Sequence, residues 1–482
     1  MDIAFKSAGQ LAKMIKRGKI TSLDLLDHYL ERVERLNPKI NAIIWMDKDG
    51  ARKRAKAADR ALKKGDLWGP LHGVPMTIKE SYDVKGSPTT WGDPSLKNNI
   101  ATKNSLAVDR LLQAGVVLFG KTNVPLMLAD WQSYNDIYGT ANNPWDVTRS
   151  PGGSSGGSAA ALAAGLTGID AGSDIGASIR NPAHYCGVFG HKPTWNILSP
   201  RGHALPGKVA HTDISVIGPL ARSAADLELA MDAMLGLDAV DKVGLTVSLP
   251  KPRKKNWREF KIGLMLTDKN SEVDRQVQDR LQALADFLGK KKVKLVAGAK
   301  PDIDTSEAMD VYIGLLRAAT SGRQSDQLYA KNKELAAGLK PNDNSYYAQM
   351  TRANVLGHRD WLALNEKRMQ MRLKWAAFFD EYDLLLCPAA ASAAFPHDQK
   401  GERYQRKVEV NGHPVPTTDQ LFWAGYMGVS FLPSTVAPIG FTREGLPVGV
   451  QIVAGHYRDR ESIAFASMLE REYQGFVPPP GF

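Results

Sequence analysis

Apolar side chains recur along the chain in a pattern that predicts helices alternating with short buried strands. From Leu26 to Leu36 they fall at the three- and four-residue intervals of an amphipathic helix, which Thr21 or Ser22 would cap. Residues 105–113 predict a further helix, and Val116–Phe119 a buried strand. We expect about the first 65 residues to be helical.

The alternation continues through the rest of the chain. Strands are predicted at Asp213–Ile217, Lys261–Leu266, Val293–Val296, Asp383–Leu386 and Leu446–Ala454. Helices are predicted after Ser223, at Val273–Leu288 with Gly289 ending the helix, and at Asp459–Glu472. Residues 304–380 are mostly helical by pattern and indicate a helical insertion or cap. Helices that alternate with short apolar strands are typical of α/β layers around a parallel or mixed sheet.

The charge composition indicates whether the protein binds a nucleic acid. The chain of 482 residues has 62 Lys and Arg against 51 Asp and Glu, which gives a formal net charge of +11. Its basic clusters at 251–255 and 290–292 are short, and no interleaved aromatic platform accompanies them. A solvated surface is therefore favoured over a nucleic-acid interface.

Cysteine content and hydropathy point to a cellular location. Cys186 and Cys387 lie in apolar surroundings and indicate buried core residues rather than a disulfide framework. The first residues lack the apolar core of a signal peptide, and no uncharged apolar run reaches about 18 residues. We expect a cytoplasmic protein without a membrane partner.

The stretch with the clearest chemical character is Ser150–Ser158, where glycine and serine predominate and an alanine-rich helical segment follows. Such a loop leads its backbone N–H groups toward a helix N-terminus, which can bind an anion. A flexible linker disagrees with the apolar sequence on both sides. A Walker phosphate loop is excluded because the stretch ends in Gly157-Ser158-Ala159 rather than Gly-Lys-Ser/Thr.

Two further stretches complement this loop. Small residues surround Ser178 within Ala171–Pro182, so that the backbone could approach a substrate closely and its N–H groups could bind an oxyanion. Lys79 ends the apolar run Gly73–Ile78, and a lysine held among apolar groups loses its proton easily and can act as a base. The neighbouring acid, Glu80, would face the other side of an extended strand.

Together these stretches resemble the amidase signature family. The resemblance rests on Leu71–Pro75 with Lys79, Pro151–Ser158 and Gly172–Pro182, and extends to Asn143–Trp145, Cys186–Thr194, Gly445–Gly449 and Gln451. It implies one domain over residues 1–482, built on a large twisted mixed β-sheet surrounded by helices. The α/β core would then occupy about 66–300 and 383–482. The resemblance also implies a serine hydrolase that cleaves amide-like bonds.

The family's catalytic relay corresponds to three residues of this chain. Ser178 occupies the position of the nucleophile, Ser154 that of a bridging serine after a cis peptide bond, and Lys79 that of the base. Ser155 resembles the serine that helps to orient the lysine. Serine needs an adjacent base near neutral pH, and a hydroxyl can donate and accept a proton at once, so the relay is chemically sensible.

The resemblance also implies roles around the nucleophile. The oxyanion hole would consist of the backbone N–H groups of Ile175, Gly176, Ala177 and Ser178. Asp174 and Arg180 match charged structural positions beside it. Position 177 is commonly glycine in the family, so Ala177 is a departure that would narrow the site or shift the hole.

The stretch Leu126–Tyr134 is unusual for the family, whose members place it beside the acyl pocket. Leu128, Ala129, Trp131 and Tyr134 are therefore candidate substrate-pocket residues. The two aromatic residues would suit an aromatic or extended substrate, but they fit the role of ordinary core residues equally well.

Other catalytic arrangements find less support in the sequence. A Ser-His-Asp triad lacks a Gly-x-Ser-x-Gly elbow, so the histidines are interpreted as structural or pocket residues. These are His72, His184, His191, His203 and His211. No His-Glu-x-x-His pattern and no zinc-spaced cysteine pair occurs, so neither a metal nor another cofactor is expected.

The bond that is cleaved stays open at this point. A small-molecule amide, anilide, ester or carbamate would suit the relay, and aromatic pocket residues favour an aryl amide or a carbamate. One rival is the glutaminase subunit of a tRNA-dependent amidotransferase, although Asp419–Gly425 does not resemble its usual segment. The other is a non-catalytic binding protein on the same fold, against which the joint presence of Lys79, Ser154 and Ser178 argues. We expect a homodimer.

Overall fold

The structure, a computed structural model, describes residues 2–482. Over this range the strands are β1 Ile43–Met46, β2 Pro75–Lys79, β3 Val117–Thr122, β4 Tyr134–Asn135, β5 Gly139–Thr140, β6 Asp170–Asp174, β7 Phe189–Lys192, β8 Val216–Ala221, β9 Lys261–Leu264, β10 Lys294–Ala297, β11 Leu384–Pro388, β12 Lys407–Val410, β13 His413–Pro416, β14 Ser434–Phe441 and β15 Pro447–Ala454. The α-helices are α1 Ala8–Lys16, α2 Ser22–Ile40, α3 Lys48–Lys63, α4 Leu106–Gln113, α5 Gly156–Ala163, α6 Arg180–Cys186, α7 Ala224–Met234, α8 Arg275–Lys290, α9 Thr305–Ser321, α10 Asp326–Gly338, α11 Tyr346–Ala353, α12 His358–Glu381, α13 Leu421–Gly428 and α14 Asp459–Glu472.

An eight-stranded mixed sheet lies at the centre of the fold. Its strands follow the order β10-β9-β11-β15-β14-β7-β8-β6. The pairs β10–β9 and β9–β11 are parallel, and the other neighbouring pairs are antiparallel. Strands such as β11 and β15 are buried along their whole length, because helices cover both faces of a layered α/β domain. The predicted mixed sheet with surrounding helices is thereby confirmed.

A second, three-stranded sheet in the order β1-β3-β2 carries Lys79 at the end of β2. Strand β2 runs parallel to β3 and is buried throughout. Strand β1 lies within the first 65 residues, where only helices were expected, so that expectation was wrong. With four residues, of which Ile43 alone is buried, β1 has too short a pattern to be recognised, and its pairing with β3 determines it.

Most other predicted elements are confirmed to within a few residues, and two need correction. The strand expected at Asp213–Ile217 lies at Val216–Ala221, because Asp213 is held outside the sheet by an ion pair with Arg368 at 2.7 Å. The helix expected to end at Gly289 continues to Lys290. The left-handed residue that follows this helix is Lys292, with φ of 65°.

Four helices, α9 to α12, occupy residues 305–381, where the sequence pattern indicated a helical segment. Their buried side chains, including Tyr312 and Trp375, join the same apolar core as the central sheet. Helix α9 also packs against α13. Over residues 2–482, none of the helices combines the length and the apolar character needed to span a bilayer.

Candidate active site

Three serine hydroxyls surround the amino group of Lys79, which is fully buried. Its Nζ donates to Ser154 Oγ at 2.6 Å, and to Ser155 Oγ and Ser173 Oγ at 3.0 Å each. Ser154 and Ser155 belong to the glycine–serine loop (residues 150–158), whereas Ser173 belongs to β6. The site therefore forms where the small sheet meets the edge strand of the central sheet.

Burial lowers the pKa of Lys79 to about 7, because the ammonium ion loses its hydration. The negative charges of Asp174 and Asp170 act in the opposite direction but are outweighed. Glu80 does not contact the amino group, since its carboxylate accepts hydrogen bonds from the backbone N–H groups of Trp91, at 2.9 Å, and Thr90. A large fraction of Lys79 is consequently neutral at pH 7 and able to accept a proton.

The glycine–serine loop is held in one conformation by close backbone contacts. The Gly153–Ser154 peptide bond is cis, as the family resemblance implied. A Cβ atom at Gly153 would lie 2.2 Å from the Asp130 carbonyl oxygen, so only glycine fits there. The Gly156 N–H donates to Ser133 Oγ at 3.1 Å. These contacts explain why glycine occupies position 153 in the segment that presents Ser154 to Lys79.

Ser178 lies in the turn between β6 and α6, which we call the Ser178 loop (residues 174–180). The Ser155 N–H donates to the Ser178 carbonyl at 3.1 Å, which joins this loop to the glycine–serine loop. Ala177 adopts a left-handed conformation with φ of 67°. Glycine adopts this conformation without steric cost, which accounts for the family's usual glycine at that position.

The Asp174 carboxylate holds the Ser178 loop together through hydrogen bonds. Its carboxylate accepts hydrogen bonds from the N–H groups of Ala177 and Ile179 and from Arg180 Nε and Nη2, at 2.9 to 3.1 Å. Although burial alone would raise it, the pKa of Asp174 is lowered by the Arg180 guanidinium. Asp174 and Arg180, which the family resemblance placed beside the site, thus form part of the Ser178 loop and stabilise it.

The backbone N–H groups of the Ser178 loop differ in their availability. Because the Ala177 N–H donates to Asp174, it is turned away from the position that the family resemblance gave it. The N–H groups of Ile175, Gly176 and Ser178 have no acceptor within the described part of the chain. Three of the four expected oxyanion-hole donors are therefore free to receive a ligand oxygen.

Two cavities meet at Ser178. The larger, of about 400 Å³, is also lined by Ser154 and Ser173. The smaller, of about 260 Å³, lies between residues 127–131 and the C-terminal end of α9. A ligand bound across both cavities would pass directly over the Ser178 hydroxyl.

Three of the four predicted pocket residues line these cavities. Leu128 borders both, whereas Ala129 and Trp131 border the smaller one. The Trp131 indole Nε1 also donates to the Gly176 carbonyl at 2.8 Å. Tyr134 lies outside both walls, contrary to expectation, because its hydroxyl turns to accept a hydrogen bond from Arg406 at 2.9 Å.

A sequence model of the Amidase family matches residues 24–463. The chain belongs to the amidase family. It is 32% identical to the indoleacetamide hydrolase of Bradyrhizobium diazoefficiens, over 96% of this chain and 86% of that protein. It is 29% identical to a glutamyl-tRNA(Gln) amidotransferase subunit of Bdellovibrio bacteriovorus, over 98% and 97% of the two chains. Membership makes the protein a hydrolase of carbon–nitrogen bonds that acts on amides.

A solved structure shares the fold of this amidase-family chain. The structure of a bacterial aryl acylamidase of the amidase signature family superposes with a TM-score of 0.82. The alignment covers 99% of both chains at 23% sequence identity. At this identity the likeness establishes the common architecture.

Three site residues of this amidase-family enzyme lie outside the sequence expectations. Ser173 contacts Lys79, and its place in the quoted Gly172–Pro182 motif was the available signal. Tyr312 of α9 donates to the Ile175 carbonyl at 3.0 Å and packs closely on Gly425. Arg323 borders both cavities. Tyr312 and Arg323 belong to the helical segment, which carries no family motif.

The histidines take no part in the contacts of Lys79. His203 faces the larger cavity, where its Nε2 lies 2.9 Å from Ser81 Oγ, and burial lowers its pKa to about 3. It is therefore neutral at pH 7. His191 is held between Thr435 and Asp459 in the core. Among residues 2–482, no group of three or more His, Cys, Asp or Glu side chains is arranged to hold a metal ion.

Proposed function

We propose that this amidase-family enzyme cleaves its substrate through an acyl intermediate on Ser178, with Lys79 as the base and Ser154 as the proton relay. The observation that carries the proposal is the 2.6 Å contact between Lys79 Nζ and Ser154 Oγ. The amine there has a pKa of about 7, so about half of it is neutral at pH 7 and can accept a proton.

The proposed reaction begins when neutral Lys79 accepts the Ser154 proton while Ser154 accepts the proton of Ser178. The Ser178 oxygen attacks the carbonyl carbon, and the resulting oxyanion binds the free N–H groups of Ile175, Gly176 and Ser178. Lys79 returns its proton through Ser154 to the leaving nitrogen, and the C–N bond breaks. A water molecule then attacks the acyl carbon by the same route and releases the acid.

Aryl amides are the proposed substrates, with aryl carbamates as a second class open to the same chemistry. The Trp91 ring lines the larger cavity together with Ser154 and Ser178, and an aryl group bound there could pack against it. A relative named indoleacetamide hydrolase supports an aromatic substrate. Rates for p-nitroanilides, primary amides, esters and aryl carbamates will rank these classes.

The decisive test is Ser178→Ala. We expect loss of amide turnover and of covalent labelling by a fluorophosphonate probe, with the melting temperature of the wild type retained. Ser248→Ala is the matched control, since Ser248 is exposed and lines neither cavity at Ser178. Turnover and labelling in Ser178→Ala at the rates of Ser248→Ala would assign the nucleophile to another residue.

A second candidate is the glutaminase subunit of a tRNA-dependent amidotransferase. Its support is the 29% identity to a glutamyl-tRNA(Gln) amidotransferase subunit over nearly the whole chain. This function predicts release of ammonia from glutamine and co-purification with partner subunits. Hydrolysis of aryl amides by the isolated chain, without glutaminase activity, would exclude it.

A further inference from the structure

Three arginines without a carboxylate partner line the smaller cavity beside Ser178: Arg317, Arg323 and Arg403. None of them forms an ion pair in the part of the chain that the structure describes, residues 2–482. The carboxylate in this wall, Asp130, is engaged by Arg406 at 2.6 Å. The smaller cavity is thus positively charged next to the reacting serine.

The guanidinium groups keep donors free for a ligand. Arg323 Nη1 donates to the Met127 carbonyl at 3.1 Å, and its guanidinium lies 5.1 Å from the centre of the Trp91 ring. Burial lowers the pKa of Arg323 to about 10, so it stays cationic at neutral pH. Arg323 is partly buried and has no carboxylate partner in the described residues, so an anionic ligand in the cavity would gain a charge-assisted hydrogen bond from it.

Arg403 and Arg317 likewise donate to neutral groups of the protein and have no carboxylate partner in the described residues. Arg403 Nη1 donates to the Ala129 carbonyl at 2.8 Å, and Arg317 donates to the Tyr346 hydroxyl. The Nε atoms of both arginines are buried without an acceptor in the described residues. These buried Nε groups do not face the cavity, whereas Arg323 Nε and Nη2 and Arg403 Nη2 are neither fully buried nor used by an acceptor in the described residues. These are the donors that a carboxylate in the cavity could engage.

The proton relay indicates which part of a substrate meets this wall. Ser154, which would return the proton to the leaving nitrogen, lines the larger cavity and does not line the smaller one. The leaving amine then occupies the larger cavity. The acyl group, on the other side of the scissile bond, occupies the smaller cavity among the arginines.

We infer that the acyl part of the substrate carries a carboxylate, so that the substrate is a monoamide of a short dicarboxylic acid held by Arg323 and Arg403. The inference rests on the proposed function for the direction of the acyl group. A cavity of about 260 Å³ is at the small end of ligand sites and suits a chain of a few carbons. The aromatic ring of an anilide would lie in the larger cavity.

Two anilides of matched shape test the inference. Succinanilic acid and 4-methylpentananilide differ in that the second has an isopropyl group in place of the carboxylate. We expect the wild type to favour succinanilic acid in kcat/KM, and Arg323→Gln to lower the ratio of the two rates by about tenfold to a hundredfold, the value of a charge-assisted hydrogen bond. Arg359→Gln is the control for charge, because Arg359 is exposed and lines neither cavity.

A binding measurement separates this inference from the proposed mechanism. Calorimetric titration of Ser178→Ala with each anilide reports recognition of the carboxylate without turnover, and Arg323→Gln in that background should abolish the preference. Should the wild type hydrolyse neither anilide, the proposed function fails for these amides and the titration alone decides the inference. Equal binding of both anilides, or a preference that survives Arg323→Gln, would overturn it. If Arg323→Gln does not fold, Arg403→Gln makes the same test.

Discussion

The pH dependence of amide hydrolysis tests the role of Lys79 most directly. Its pKa of about 7, against 10.5 for an ordinary lysine, corresponds to about 5 kcal/mol in favour of the neutral amine. Loss of hydration on burial is the largest cause of that shift. Since the neutral amine is the active form, kcat/KM should rise with pH through about 7 and level off above it.

The expected profile has a definite shape. About one tenth of Lys79 is neutral one pH unit below its pKa and about nine tenths one unit above, so kcat/KM for a p-nitroanilide should rise about tenfold between pH 6 and 8. An unshifted lysine would give a rise of about tenfold per unit that continues past pH 9. The ratio kcat/KM is the quantity to measure, because it reports the ionisation of the free enzyme.

Asp170 offers a way to move the profile. Burial raises the pKa of Asp170 to about 8, so its negative charge develops at the upper end of the limb and there favours the Lys79 ammonium. Asp170→Asn removes that charge, so kcat/KM should reach its plateau at a lower pH, while the lower part of the limb, where Asp170 is already neutral, should follow the wild type. The exposed Asp136 supplies the control variant, Asp136→Asn, whose profile should match the wild type.

Lys79→Ala should remove the ascending limb together with most of the rate for unactivated amides. Activated esters should lose less, because their leaving groups need no proton. The reasoning is refuted if the wild-type profile is flat between pH 6 and 8. It is equally refuted if Lys79→Ala hydrolyses an amide at nearly the wild-type rate with the same profile.

Two further predictions concern the Ser178 loop. Asp174→Ala leaves Arg180 buried without its partner and should lower the free energy of unfolding by about 3–5 kcal/mol in a denaturant titration, against less than about 0.5 kcal/mol for Asp136→Ala. A loss below about 1 kcal/mol would show that Asp174 does not hold the loop. Ala177→Gly removes the cost of a left-handed alanine, about 1 kcal/mol, but gives the unfolded chain a similar gain in entropy, so the free energy of unfolding should change by less than about 1 kcal/mol. A larger loss would mean that the Ala177 methyl group contributes to packing.

The sequence allowed prediction of features that rest on local patterns. Helix α14 has the bounds that its periodicity indicated, because apolar repeats constrain the backbone directly. The contacts of Lys79 with Ser154 and Ser155 agree instead with the family resemblance, which assigned these residues by their place in its motifs. Apolar repeats alone carry little information about which side chains meet across the fold.

Contacts between distant segments escaped prediction for that reason. Arg323 reaches the cavity wall from the link between α9 and α10, where neighbouring residues give no sign of a site. The Ala177 N–H was assigned to the oxyanion hole, yet the Asp174 carboxylate competes for it at 3.0 Å. Strand β1 has residues that favour strands, but four apolar residues are too few to be told from the end of a helix, and the pairing with β3 identifies them as a strand.

The contact of Tyr312 with the Ile175 carbonyl has a consequence for protein engineering. Residues 305–381 form one continuous helical segment, so a protein engineer could exchange them as a unit to alter substrate preference. The Tyr312 ring, however, fills the space above Gly425, where even a methyl group would lie 2.1 Å from it, and its hydroxyl holds the backbone next to Ser178. A chimera that imports these helices from a relative should therefore keep Tyr312 opposite Gly425; otherwise the Ser178 loop loses its hydrogen bond at the Ile175 carbonyl while every reacting group stays in place.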